Sequence, residues 1–368
     1  MSAELRRRAQ GLLDGVPVPM LAVDAQARTI AANAAARLLL GEDLLDRPFV
    51  TVLRHPGVVQ AVDWVLDPDR HPAPKPAEDS TAAPGCAELR ARLGVDGRTI
   101  MAEITVAPLS LLIGRGASIA ILDRSVADEA EQVRRDFVAN VSHELKTPLT
   151  AMLGFIETLR GPARDDARAR DRFLDIMERE AGRMNRLISD LLSLSRVQAE
   201  ERRRPAQMLD LAGLLRSVLA TMEPRAAAAG VVLRTEGLDQ PVTLPGDADQ
   251  LTQVFQNLIE NGLKYGGSGG LLEVVLRRIP HEPQLRGPGW SVEIVDHGEG
   301  IDEIHLPRLT ERFYRVDTHR SREQGGTGLG LAIVKHIISR HRGRLRIESE
   351  RGKGSRFSVV LPEDLRRG

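Results

Sequence analysis

Between residues 125 and 200, glycine and proline become rare and apolar residues recur every three or four positions. The first series is Phe137, Val141, Leu145, Leu149, Met152, Ile156 and Leu159. The second is Phe173, Met177, Glu180, Met184, Leu187, Leu191 and Leu194, with one polar member. Such spacing puts each series on one face of an α-helix. Gly161-Pro162 separates them, so the pattern predicts a helical hairpin over residues 126–204. Two helices share little core, and stripes this long are buried most simply by a second copy, as a dimeric four-helix bundle.

On either side the period shortens. Residues 8–125 carry strand-length runs at 20–23, 28–31, 98–106 and 117–122, with helical stretches near 32–40 and 57–66. Segment 67–85 holds five prolines and reads as an insertion loop. Run 104–122 has one charge in nineteen residues, but Pro108 and Gly114-Arg115-Gly116 split it into two strand-length pieces. That predicts a β-hairpin rather than a membrane span. Beyond a basic linker at 202–205, residues 205–366 alternate helical stretches (209–222, 249–265, 329–340) with strands (231–235, 271–278, 291–296, 344–349, 356–361). A Pro-rich hairpin insertion is expected at 278–288. The whole reads as a multidomain α+β chain.

Composition narrows the function. The 368 residues are 42% hydrophobic and 28% charged, enough apolar material for real cores. Lys+Arg and Asp+Glu are both 51, so no global basic excess points to nucleic acid. The neutrality is a sum of opposed stretches: residues 236–303 carry a net −8 and residues 305–346 a net +7. The single cysteine, Cys86, excludes an internal disulfide framework and a cysteine zinc site. Only five basic residues are lysines: Lys75, Lys146, Lys264, Lys335 and Lys353. No secretory leader is visible. The chain as given reads as cytoplasmic, with association to an inner membrane left open.

Several constellations carry chemistry. Ser142-His143-Glu144-Leu145-Lys146-Thr147-Pro148 lies on the first helix. With Val141 and Leu145 facing a core, His143 points outward, about 200° round from Val141. Glu144 is close enough to bond one imidazole nitrogen and leave the other nucleophilic. Thr147 lies one turn away, and Pro148 cannot donate to the carbonyl of Glu144, which predicts a bend. Asn257, Asn261 and Lys264 share a helix face with Glu260 and Tyr265 nearby; two amides and an ammonium suit a Mg²⁺-bound polyphosphate. Asp296-His297-Gly298-Glu299-Gly300-Ile301 ends a strand, where a carboxylate can accept from an amino group and glycines admit backbone to a ligand. Gly325-Gly326-Thr327-Gly328-Leu329-Gly330 opens a helix whose N–H groups favour phosphate. Its spacing is neither the Walker nor the dinucleotide pattern. Gly352-Lys353-Gly354-Ser355 reads as a strand turn. His55, before Pro56, reads as a structural histidine.

Taken in order, these motifs resemble those of two-component sensor histidine kinases. "FVANVSHELKTPLT" is similar to the H box, "NLIENGLKYG" to the N box, "DHGEGI" to G1, "RFYRVD" to F and "GGTGLGLAIVK" to G2. Finer detail ("GFIETLRGPARDD", "RMNRLISDLLSLSR", "PRLTERFYRVD") is most similar to phosphate-regulon sensor kinases of alphaproteobacteria. Residues 8–125 are similar in texture to a PAS domain.

The resemblance implies a PAS-like sensor domain (8–125), a dimerisation and phosphotransfer hairpin (126–204) and a Bergerat-type α/β-sandwich ATP-binding domain (205–366). It implies ATP and Mg²⁺, a homodimer, and a PhoB-like response regulator with a receiver domain. No nucleic acid is expected, and an accessory membrane or regulatory partner stays open. His143 would accept phosphate, with Glu144 as base and orienter. Asn257 and Asn261 would hold Mg²⁺, Lys264 the phosphates, Tyr265 would pack near adenine, and Asp296 would bond its amino group. Arg315 would reach the γ-phosphate. Gly298, Gly300, Gly326, Thr327, Gly328, Leu329 and Gly330 would complete the ATP site, and residues 302–326 would form its lid. Thr147 would orient water for dephosphorylation of the regulator. Gly262 stands where the family often has alanine. Two other readings stay open: a Bergerat-type ATPase without phosphotransfer, and a non-enzymatic scaffold.

Overall fold

The computed structural model describes residues 3–74, 83–95, 97–111, 114–200, 203–283, 285, 287–316 and 326–364. The chain divides into two compact units, Met1–Val138 and Ala139–Gly368.

In the first unit, alternating patterns become a five-stranded antiparallel sheet. Its strands are β1 (Met20–Val23), β2 (Thr29–Ala32), β3 (Ala87–Val95), β4 (Arg98–Leu111) and β5 (Gly114–Asp123), in the order β2-β1-β5-β4-β3. Helix α1 (Ala3–Asp14) precedes it; α2 (Ala34–Leu40), α3 (Phe49–Val52) and α4 (Pro56–Leu66) intervene between β2 and β3. Val58, Ala61, Val62 and Val65 of α4 bury against Leu89, Ile104, Val106, Ile119 and Ile121. Asn33 starts α2: its side chain accepts from the Ala36 N–H at 2.9 Å and donates to the carbonyls of Val16 and Val18 at 2.9 and 2.7 Å. Strand β3 and helix α1 are additions to the sequence reading. The 104–122 run forms the expected hairpin, with Ile104 paired to Ile121. No helix among the described residues is long and apolar enough to cross a membrane. Residues 75–82 of the Pro-rich insertion, Lys75 included, lie outside the described residues.

The hairpin consists of α5 (Ser125–Arg160) and α6 (Ala167–Glu200). Helix α5 continues through Pro148, which is buried. Near the hairpin's turn, Phe155 and Phe173 stack with ring centroids 5.3 Å apart. Leu187, Leu194 and Val197 are buried, whereas Leu149, Leu153, Ile156, Leu174, Ile188 and Leu192 stay exposed.

The remainder is a mixed sheet, β11-β12-β10-β9-β7, under three helices. Its strands are β7 (Val232–Glu236), β9 (Leu271–Glu282), β10 (Gly287–Asp296), β11 (Arg344–Glu350) and β12 (Gly354–Pro362), with β7 and β9 parallel. Helices α7 (Leu211–Ala228), α8 (Ala248–Tyr265) and α9 (Gly330–Arg340) supply Leu215, Val218, Phe255, Leu258, Ile259, Ile333 and Ile337 to the core. Helix α7 does not begin at 209 as the pattern suggests, because β6 (Met208–Asp210) is held by pairing with β8 (Thr243–Pro245). The expected Pro-rich hairpin at 278–288 is formed by the paired ends of β9 and β10.

Arg340 joins hairpin and sandwich. Its Nε donates to the carbonyls of Glu200 and Arg203 at 3.3 and 3.0 Å, and its Nη1 to Asp247 at 2.9 Å. Burial opposes charge on Asp247, but Arg340 and the Gln250 N–H together hold that carboxyl below its ordinary range. Next door, His341 Nε2 accepts from the Asp247 N–H at 3.0 Å and Nδ1 faces the Ile337 carbonyl at 2.8 Å. Burial lowers its pKa, which fits this neutral tautomer.

Candidate active site

A cavity of about 650 Å³ opens between α8, the end of β10, the segment 299–316 and the start of α9. Its size suits a small-molecule ligand. Helix α8 begins at Asp247, whose side chain accepts from the Gln250 N–H at 3.2 Å. Leu251, Val254, Phe255, Leu258 and Ile259 face the core, which turns Asn257, Glu260, Asn261 and Lys264 to the cavity. Tyr265 stands at its edge, exposed. Gly262, the departure from the family pattern, has a packing cause: a Cβ there would lie 2.5 Å from Leu272 Cδ1.

At the cavity's other end lies Asp296, 6% exposed. Its Oδ1 accepts from the N–H groups of Gly298 and Ser355 at 3.0 and 3.2 Å. Burial raises the carboxyl's pKa, opposed by those hydrogen bonds. Sequence reading gave the Ser355 turn no role; β12 pairing beside β10 brings it here. Gly300 has φ +67°, and a Cβ would sit 2.1 Å from the Glu350 carbonyl oxygen, so only glycine fits. Gly298, close against Gly266, and the fully buried Leu329 do not line the cavity. Arg315, Gly326, Thr327, Gly328 and Gly330 line it. Residues 317–325 of the expected lid, Gly325 included, lie outside the described residues.

The hairpin contributes residues that sequence reasoning missed. Arg183, Arg186, Asp190, Ser193 and Val197 form a second stripe on α6, spaced by three and four like the apolar one. It looks like a solvated face, yet it meets the sandwich. Arg186 and Asp190 line the cavity. Asp190 accepts from Thr327 Oγ1 at 2.6 Å, and Ser193 donates to Gln253 at 2.7 Å. Burial raises the pKa of Asp190, opposed by the Thr327 hydrogen bond. On α5, His143 is exposed and does not line the cavity. Glu144 beside it is expected at the imidazole. Its Oε2 instead accepts from Arg183 Nη2 at 2.6 Å and Arg315 Nη2 at 3.2 Å. The Thr147 hydroxyl donates to the His143 carbonyl at 3.1 Å, placing the two one turn apart as expected.

The donor set fits a hydrated divalent cation with polyphosphate. Both amides line the cavity with an ammonium beside them, and Asn257 Nδ2 is buried without a hydrogen-bond partner among the described residues. Hard cations that keep several waters need few protein ligands.

A nucleotide-sized cavity in an α/β sandwich, docked on a helical hairpin that exposes one histidine, defines the catalytic core of a histidine kinase. The comparisons agree. Residues 133–200 match the His Kinase A (phospho-acceptor) domain, and residues 246–365 match the Histidine kinase-, DNA gyrase B-, and HSP90-like ATPase family. The chain is 40% identical over 257 residues to the phosphate regulon sensor protein PhoR of Pseudomonas aeruginosa, covering 68% of this chain and 55% of that protein. It is 37% identical over 248 residues to the sensor-like histidine kinase SenX3 of Mycobacterium tuberculosis, covering 67% and 58%. The chain thus spans little more than half the length of these relatives. In fold it is similar to histidine kinase ThkA, solved in complex with response regulator protein TrrA (TM-score 0.50, 18% identity, 96% of this chain and 98% of that one). The chain belongs to the two-component sensor histidine kinases and is similar to PhoR.

Proposed function

We propose that this protein phosphorylates itself on His143 from ATP and passes the phosphoryl group to an aspartate of a response regulator. The observation that carries this reading is Arg315. It lines the nucleotide cavity and also pairs with Glu144, the residue next to His143. One side chain therefore connects the candidate nucleotide site to the candidate phosphoacceptor.

In the reaction, an imidazole nitrogen of His143 forms the N–P bond as the bond from the γ-phosphorus to the β–γ bridging oxygen breaks and ADP leaves. The proton on the other ring nitrogen passes to Glu144. Arg315 exchanges Glu144 for the γ-phosphate, which frees the carboxylate for that proton. Lys264 and the N–H groups opening α9 balance phosphate charge. Asn257 and Asn261 would hold Mg²⁺, which neutralises further charge when bound. Asp296 orients the base through its amino group. Since His143 does not line the cavity here, the sandwich must move on the hairpin for transfer. Incubation with labelled ATP and Mg²⁺ should give acid-labile, base-stable phosphate that a receiver domain removes. Absence of any label would reject the proposal.

The same site supports phosphatase action on the regulator, with Thr147 orienting water. Thr147→Ala should slow dephosphorylation about tenfold while autophosphorylation stays within about twofold. Loss of phosphate from the regulator at the wild-type rate would exclude this role.

We further read the protein as a homodimer. Leu149, Leu153, Ile156, Leu174, Ile188 and Leu192 leave apolar surface on a hairpin too thin to cover it. Leu153→Glu with Leu192→Glu should convert dimer to monomer in light scattering; an unchanged mass would exclude this face. The antiparallel sheet of the first unit, with helices between its second and third strands, supports a PAS-like sensor domain. Similarity to PhoR supports a role in phosphate-starvation signalling through a PhoB-like regulator.

A further inference from the structure

Sequence reading placed His305 and Tyr314 only within the expected lid, Tyr314 in the F-box motif, and the mechanism above uses neither side chain. Both line the cavity. His305 Nδ1 lies 2.7 Å from the Tyr314 hydroxyl, a hydrogen bond whichever atom carries the proton. The Arg308 guanidinium covers the Tyr314 ring, its Cζ 4.2 Å from the centroid. His305 and Arg308 both come from the 3-10 turn Glu303–Arg308, which Asp302 caps by accepting from the Ile304 N–H at 3.1 Å.

Tyr314 therefore sits in a built socket, and its neighbours in sequence are constrained too. Phe313 has φ +64°, an unfavourable conformation for a bulky residue. Its N–H donates to the Gly328 carbonyl at 2.8 Å. Gly328 has φ +72°, and a Cβ on it would lie 2.9 Å from the Phe313 backbone. The strained turn is thus held from the phosphate-binding loop on one side and from His305 on the other. Arg315 follows directly, its side chain 5% exposed.

We propose that His305 is a positioning residue: through Tyr314 it fixes the strained turn at Phe313 and so aims Arg315 at the γ-phosphate. The inference rests on the nucleotide reading above and adds residues to it. It predicts an effect confined to nucleotides that carry a γ-phosphate, because ADP offers Arg315 nothing to reach. A residue that merely built the cavity wall would affect both nucleotides.

The test uses the full chain as His305→Ala, His305→Asn, Tyr314→Phe and the double variant His305→Ala/Tyr314→Phe. Calorimetry measures ADP and a non-hydrolysable ATP analogue; labelling at saturating ATP measures autophosphorylation. Tyr314→Phe and His305→Ala should each weaken the analogue and slow labelling about tenfold, with ADP affinity within twofold of wild type. The double variant should be no worse than either single one, since both break one hydrogen bond. His305→Asn, which keeps a polar atom near the place of Nδ1, should recover most of the rate. Equal weakening of ADP and analogue, additive losses, or wild-type behaviour of both single variants would overturn the proposal. Wild-type protein that bound neither nucleotide would instead reject the functional reading, and this proposal with it.

Discussion

Replacing His143 by glutamine is expected to remove phosphate incorporation altogether, a loss of more than about a thousandfold, while nucleotide binding stays as in wild type. The two halves of this expectation have separate causes. His143 is exposed on α5, so glutamine there changes folding stability by no more than about 0.5 kcal/mol. It does not line the cavity, so the ATP site should not register the change. What disappears is the nucleophile, and the neighbours offer no substitute. The Thr147 hydroxyl donates to the His143 carbonyl, which cannot take its proton as a base would, and Glu144 is held by Arg183 and Arg315. Calorimetry with a non-hydrolysable ATP analogue and labelling with ATP on the same preparation separate binding from chemistry. Equal labelling of wild type and His143→Gln would place the phosphate elsewhere.

Much of this was legible because local patterns carry it. The stripes from Phe137 to Leu159 and from Phe173 to Leu194 announced the hairpin, and α5 and α6 follow them. On α8, apolar and polar residues divide so cleanly that Asn257, Asn261 and Lys264 could be placed on one face before any fold was known. Strand β3 could have been found as well: Leu89, Ala91 and Leu93 alternate with Arg90 and Arg92, a half-buried strand by the period-two rule. What stayed hidden are contacts between distant elements. Glu144 meets partners 39 and 171 residues away, and Asp190 a partner 137 residues away. No local period encodes those distances. The opposed charges could be read, but not their purpose. The net-positive stretch carries Arg315 and Arg340, and both pair with carboxylates of the hairpin, Glu144 and Glu200. The surplus of arginine thus serves docking between hairpin and sandwich as well as phosphate. The second stripe on α6, from Arg183 to Val197, belongs to the same junction. A helix with two functional faces looks, from sequence alone, like a helix with one core face and one solvated face.

The second large effect is expected at Asp296, where binding and stability should move in opposite directions. In Asp296→Asn the amide oxygen can keep the two N–H donors of Gly298 and Ser355 that now hold Oδ1. The amide nitrogen then takes the other branch, where it donates rather than accepts. An amino group on the bound base loses a charged acceptor, about 1.5–3 kcal/mol, and meets a second donor. ATP affinity should therefore fall about a hundredfold or more. Stability without nucleotide should rise. Burial raises the pKa of Asp296 in the folded protein, so its ionised form is disfavoured there relative to the unfolded chain. That cost is fully present above the folded-state pKa and vanishes as pH falls below the unfolded value, about 4. Asparagine removes it. At neutral pH the melting temperature of the nucleotide-free domain should rise by about 2–4 °C for each 1 kcal/mol relieved, and the gain should shrink toward pH 4. Denaturation scans at pH 7 and pH 4, beside calorimetry with the non-hydrolysable analogue, measure both effects. Affinity within threefold of wild type would remove Asp296 from base recognition. A lower melting temperature at pH 7 would show that its two backbone hydrogen bonds outweigh the burial of its charge.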